Sequence, residues 1–320
     1  MKKYFFLFIA FLFLMSCKKE SKQEVDVSAI PVSFTVERFD QKFYTSEPQD
    51  LSKLKSEYPF LFPEIYADTV WTNKLKDPIS RELFNEVQKK YASLGKLEPQ
   101  IEDLLKHVKY YYPEKKTPRV ITVITEVDVD AKSIFVDDFL FISLDCYLGK
   151  DHRFYETFPE YMRIEFDESQ ILPDIVSSFS YGKIAPPKDR TLLSLMIYKG
   201  KELYMKDLLI PDVADNVKIA YTEDKYKWCE ENEAQMWSYF IENKLLYDTN
   251  PKNEQRFMNE APFSKFYLEI DNESPGRVGA WLGWQIVRSY MENHPEVKLQ
   301  ELLALSAKEL FEESKYKPKK

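Results

Sequence analysis

The chain has 320 residues, 44% of them hydrophobic and 15% aromatic, which is enough apolar side chain to bury a large core without covalent support. With 45 basic and 53 acidic residues it carries a net charge of −8, and an acidic surface of that kind excludes nucleic acid as a partner. Only three cysteines occur, so a disulfide framework is excluded too.

At the N-terminus, Lys2 and Lys3 precede the apolar run Tyr4 to Met15, which ends at Leu14-Met15-Ser16-Cys17. That order is a secretory signal. As a helix the run spans about 18 Å, short of the roughly 30 Å hydrocarbon core, so it does not read as a spanning segment. Leu14 and Ser16 stand at the lipobox positions three and one before Cys17. Cleavage there exposes a thiol for acylation, and two or more acyl chains anchor a protein stably. We therefore expect a signal peptide over 1–16, a lipidated flexible tether over 17–30 and one integrated domain over 31–320. Removing Met1 to Ser16 takes away two lysines and no acid, leaving a mature net charge near −10. Lys18, Lys19 and Lys22 alternate with Glu20 and Glu24, as in a solvated tether. A Lys rather than an acid after Cys17 favours sorting to the outer membrane.

Val32, Phe34 and Val36 alternate as a short strand, and apolar residues then recur at helical spacing over Leu51 to Tyr58, Pro78 to Ser93 and Pro99 to Tyr112. Pro78 after Asp77 and Pro99 after Glu98 suit helix starts. From Arg119 to Leu148 the pattern changes to β-branched and aromatic runs. Val120–Ile124, Ser133–Val136 and Phe139–Leu144 are expected as strands of one small sheet. Helices return over Ser169 to Tyr181, Lys188 to Leu209, Thr222 to Tyr247 and Gly276 to Asn293, with a last helical stretch after Pro295. Ser306 and Glu309 have capping-box spacing. The fold class is α+β, a mainly helical single domain with a small sheet.

Three of the seven glycines fall between Gly276 and Gly283. Glycine costs a helix about 1 kcal/mol against Ala, so their clustering implies a compensating gain. Gly276, Gly279 and Gly283 would share one bare face. That face suits either a ligand pocket with Arg277 at its mouth or close packing of another element. In the long helix expected over Thr222 to Tyr247, Glu230 and Glu233 lie three apart and Trp237 follows, with Trp228, Cys229, Met236, Phe240 and Ile241 at core spacing. A carboxylate among aromatics could titrate unusually. His107, His152 and His294 have no partner at ligand spacing and read as surface or turn residues. Asp128 and Asp130, with Asp137 and Asp138, lack the pattern of a calcium loop. Cys146 and Cys229 read as buried thiols, although one bridge between them stays open. No Gly-x-Ser-x-Gly elbow occurs, and no cofactor or metal is expected.

The lipobox Cys17, Phe158-Pro159-Glu160-Tyr161-Met162-Arg163, Gly200-Lys201, Trp228-Cys229 with Asn232-Glu233, and above all Pro275 to Tyr290 resemble the gliding-motility lipoprotein GldB family over nearly the whole chain. The resemblance implies a cell-envelope lipoprotein needed for surface gliding, partnered by envelope proteins of machinery linked to type IX secretion. The layout is also distantly similar to predicted zinc-dependent proteases: an edge strand, Phe139 to Leu144, then a helix that should bear His-Glu-x-x-His, then a helix offering an acid. In that alignment Asp174 stands for the first His, Ile175 for the general-base Glu and Ser178 for the second His, while Glu233 is a relic of the acid ligand. No His occurs between Arg153 and Asn293. Without imidazole pairs and a Glu to take a proton from bound water, this helix cannot perform metalloprotease chemistry. The expectation is therefore a non-catalytic, zincin-like scaffold. Its rivals are an envelope hydrolase working through Glu230, Glu233 and Asp174, and a small-ligand binder beside Gly279 and Gly283.

Overall fold

The computed structural model describes residues 25–269 and 271–319; Cys17, the signal peptide and most of the expected tether lie outside them. Four strands form one sheet in the order β1-β2-β4-β3, with β1 as Val36–Arg38, β2 as Arg119–Val123, β3 as Ser133–Val136 and β4 as Phe139–Ser143. β1, β2 and β4 run parallel and β3 is antiparallel to β4. Phe139–Ser143 is therefore an interior strand, and the edges are Val36–Arg38 and Ser133–Val136. The reason is burial: Leu140 and Ile142 are fully enclosed, as a strand paired on both sides requires, whereas Ile134 and Val136 are exposed. Val32 and Phe34 pack on the core outside any strand.

The N-terminal half carries helices α1 (Phe39–Tyr44), α2 (Leu51–Glu57), α3 (Asp68–Lys76), α4 (Pro78–Lys90) and α5 (Leu97–Tyr111). Asp77 caps α4, accepting from Ser80 N at 2.7 Å with Pro78 at the first position, as its sequence signature requires. α5 begins two residues before Pro99. It buries His107, whose Nδ1 lies 3.0 Å from the Asp103 carbonyl, so this histidine is a core residue rather than a surface one.

After α6 (Glu160–Arg163) come α7 (Ile171–Ser180), α8 (Leu192–Leu209) and α9 (Asp215–Lys218). The expected long helix is two, α10 (Glu223–Glu231) and α11 (Glu233–Glu242), parted at Asn232. Asn232 donates its side-chain amide to the Trp228 carbonyl at 2.8 Å, so the side chain serves the preceding turn while the backbone leaves helical ψ. The break separates Glu230, which is exposed, from Glu233, which is buried, and leaves Ile241 exposed rather than in the core.

α12 (Pro251–Phe257), α13 (Val278–Asn293), α14 (Leu299–Ala304) and α15 (Ala307–Ser314) complete the chain, with Ser306 capping α15 through Glu309 N at 3.2 Å. α8 and α13 form the most extensive helix pair and α7 lies along β3, so one continuous core joins sheet and helices. Val27, inside the stretch expected as tether, is buried as well. Cys146 and Cys229 are free, buried thiols, each with its pKa pushed up by burial.

Candidate functional site

Charged side chains from five separate segments converge beside α7 and the start of α13. Lys132, entering β3, places its ammonium 2.8 Å from Asp174 of α7, which also accepts from the Tyr147 hydroxyl at 2.8 Å. Lys132 lies 3.7 Å from Glu165, and Arg277 spans Glu165 at 3.8 Å and Glu260 at 3.9 Å. The Arg277 guanidinium is otherwise held by one 2.9 Å donation to the Ile219 carbonyl. It keeps 24% of its side-chain surface exposed, so the cluster lies at the edge of the core rather than sealed within it.

The electrostatics follow from this placement. Burial opposes the charge on Lys132, but Asp174 and Glu165 outweigh it and hold its pKa above the ordinary lysine value. Burial likewise opposes Glu165, yet Arg277 and Lys132 keep its pKa low. Glu260 moves upward, through partial burial and the neighbouring Glu165 carboxylate. The two glutamates share Arg277 as their cation, and the shifts run in opposite directions, Glu165 down and Glu260 up. Lys206 of α8 is buried nearby, donates to the Lys218 carbonyl at 2.9 Å and has its pKa lowered by burial.

A second network is sealed. Asp207 of α8 takes both Arg288 nitrogens at 2.7 and 2.8 Å, Trp284 Nε1 at 2.9 Å and Lys218 at 3.1 Å. Arg288 also reaches Asp215 at 2.8 Å and lies over the Trp284 ring. Trp284 and Arg288 are one helical turn apart, so a single face of α13 grips α8.

A third buried carboxylate, Asp145, follows β4. It accepts from the Thr125 and Val127 amides at 3.1 and 2.7 Å, holding a loop in which Glu126 and Val127 adopt φ of 63° and 60°. For β-branched Val127 that conformation is a true outlier and needs such a clamp. Burial pushes Asp145 up to about 6, against the pull of those amides.

Of the residues singled out in the sequence, Arg277 and Asp174 fall in the charged cleft. Arg277 itself adopts φ 61° and caps α13, so Gly276 lies outside the helix and only Gly279 and Gly283 share its face. That face is filled. A Cβ at Gly283 would strike the Met196 carbonyl of α8, one at Gly200 would strike the Gly283 carbonyl, and Gly279 is covered by Met258 and Phe257. Glu233 is elsewhere, accepting from the Tyr316 hydroxyl at 2.6 Å beneath Trp237, with its pKa raised by burial. Ile175 is fully buried and Ser178 Oγ accepts from the Phe135 amide at 2.8 Å. Among the described residues no group of three or more His, Cys, Asp or Glu is arranged to hold a metal ion.

Sequence reasoning missed Lys132, Glu165, Glu260 and Lys206. Each is a solitary charge in its own segment, and no spacing rule links positions 132, 165 and 260. Comparison with known proteins gives one match: the model of a family described as gliding motility protein GldB covers residues 20–318. No curated protein and no solved structure matches.

Proposed function

This chain belongs to the gliding motility protein GldB family, a family of lipoproteins, and from that premise we propose that it is a non-catalytic component of the gliding apparatus. It acts by binding envelope proteins of the machinery linked to type IX secretion, anchored through acylated Cys17, most simply at the outer membrane. Among the described residues no helix is long and apolar enough to cross a bilayer.

The observation that carries the non-catalytic reading is the use made of α7. If its layout descends from a zincin, the three positions that would bind and activate water on zinc are Asp174, Ile175 and Ser178. All three are committed inward: Asp174 to Lys132 and Tyr147, Ile175 to the core and Ser178 to the edge amide of β3. A metal site needs several donor atoms directed at one point; Ile175 offers none, Asp174 Oδ2 is taken by Lys132 and Tyr147, and Ser178 Oγ accepts from the Phe135 amide.

The test is elemental analysis of the native lipoprotein together with motility of a deletion strain complemented by Glu233→Gln. We expect no stoichiometric transition metal and retained gliding. One metal ion per chain would overturn the reading. The hydrolase alternative gains one specific observation, the Glu165–Glu260 pair beside Arg277, since paired carboxylates are a common acid–base device. Peptide or glycan cleavage abolished by Glu165→Gln would establish it.

A further inference from the structure

We propose that the segment from Phe60 to Val70 lies against the bilayer to which the chain is tethered, and so fixes the orientation of the domain on the membrane. Four apolar side chains in this short stretch face water: Phe60 at 37% exposure, Ile65 at 85%, Tyr66 at 48% and Val70 at 45%. Single exposed apolar residues are ordinary, whereas several on one small projection mark a contact surface. The projection is braced from beneath. Phe62 is buried with its ring 4.9 Å from Trp71, Tyr66 meets the same indole at 6.1 Å, and Phe60 lies tilted 4.5 Å from Phe139. Aromatic and branched side chains held open in this way suit the headgroup and upper acyl region of a bilayer.

The position of the segment selects the membrane as its occupant. β1, β2 and β4 are parallel, so their first residues lie at one end of the sheet. At that end the chain arriving from the tether is fastened: Lys109 donates to the Pro31 carbonyl at 3.1 Å, and Arg119 pairs with Glu37 at 2.8 Å. The same Arg119 lies over the Phe60 ring, which roots the projection there as well. From Cys17 to Val27, which is buried, extended backbone reaches about 35 Å at most. A surface rooted at the tethered end is therefore held at high effective concentration beside lipid, and even a weak apolar contact becomes populated. The inference rests on the reading of Cys17 as acylated.

The test uses the full-length lipoprotein in phosphatidylethanolamine–phosphatidylglycerol vesicles containing nitroxide-labelled lipid. A polarity-sensitive fluorophore is placed at Ile65→Cys or Val70→Cys and, for comparison, at Ile241→Cys, which is 48% exposed on α11. Cys146 and Cys229 are buried and stay unlabelled. The expected result is a blue shift and loss of emission at positions 65 and 70, with neither change at 241. Equal quenching at all three sites, or a label at 65 that is shielded but unquenched by lipid, overturns the proposal; the second outcome would mean a protein partner covers the segment. Acylation is read separately, by intact mass and by release of Cys17→Ser from membranes. An acylated protein with no quenching at 65 refutes the contact alone, while an unacylated native protein refutes the anchor on which it rests.

Discussion

The sealed network around Asp207 and the open cleft around Arg277 are built from the same residue types and adjoin the same two helices, yet their geometry differs. Asp207 is almost inaccessible and every contact is a true hydrogen bond of 2.7–3.1 Å. Arg277 stands 3.8 and 3.9 Å from its glutamates, and Glu260 keeps 40% of its side chain exposed. Such distances are too long for hydrogen bonds, and the guanidinium is held instead by the Ile219 carbonyl and the Tyr221 ring. Where charge is buried it must be matched closely, because an uncompensated ion in the interior is costly. Where side chains keep partial exposure, solvent screens the charges and the match can be looser.

The sharpest way to break this contrast is Asp207→Ala. Removing the carboxylate takes from Arg288 and Lys218 their most deeply buried counter-charge, although both still reach the more exposed Asp215, and the expected loss is about 3 kcal/mol in chemical denaturation. A loss below about 1 kcal/mol, the range of exposed pairs, would erase the distinction between the two clusters. Asp145→Asn sharpens it with a carboxylate buried against amides instead of cations. A pKa raised to about 6 from 3.8 contributes stability that is present below the unfolded value and is lost as pH rises through about 6. Between pH 4 and 7 the native protein should therefore lose about 2 kcal/mol through this group, and the Asn variant should show a flatter profile.

Gly283→Ala tests the junction that the sealed network secures. The added methyl meets backbone of α8 rather than a movable side chain, so a loss of about 1–3 kcal/mol is expected, readable as a lower denaturation midpoint with unchanged slope. Glu260→Gln, in the cleft, should cost less than about 1 kcal/mol, since its partner is loose and its side chain wet. A larger loss would show that the cleft is as rigid as the interior.

Several features were legible in the sequence because their cause is local. Asp77-Pro78 announced the start of α4 and Ser306 that of α15, each through a side chain acting within its own first turn. The β-branched runs gave β2, β3 and β4 to within a residue or two. The close approach at Gly283 was anticipated as one of two uses of the bare face, but the partner Gly200 was not, since it lies on another helix. The break at Asn232 was hidden because both halves keep helical spacing and only a side-chain bond to Trp228 marks the interruption.

Periodicity and capping residues by themselves determined a mainly helical chain with one small sheet, and the motif around Cys17 implied export and acylation, because those signals act between neighbours in the chain. Tertiary structure alone decided which strands lie at the edges, which acid meets which base, and that Asp174 and Arg277 share a cleft from which Glu233 is absent. Asp207 finds Trp284 and Arg288 about eighty positions away, and Lys132 finds Glu165 and Asp174 in other segments. No local pattern encodes such pairings; they exist because burying the apolar faces of α7, α8 and α13 brings those charges into the same low-dielectric space, where each must be matched.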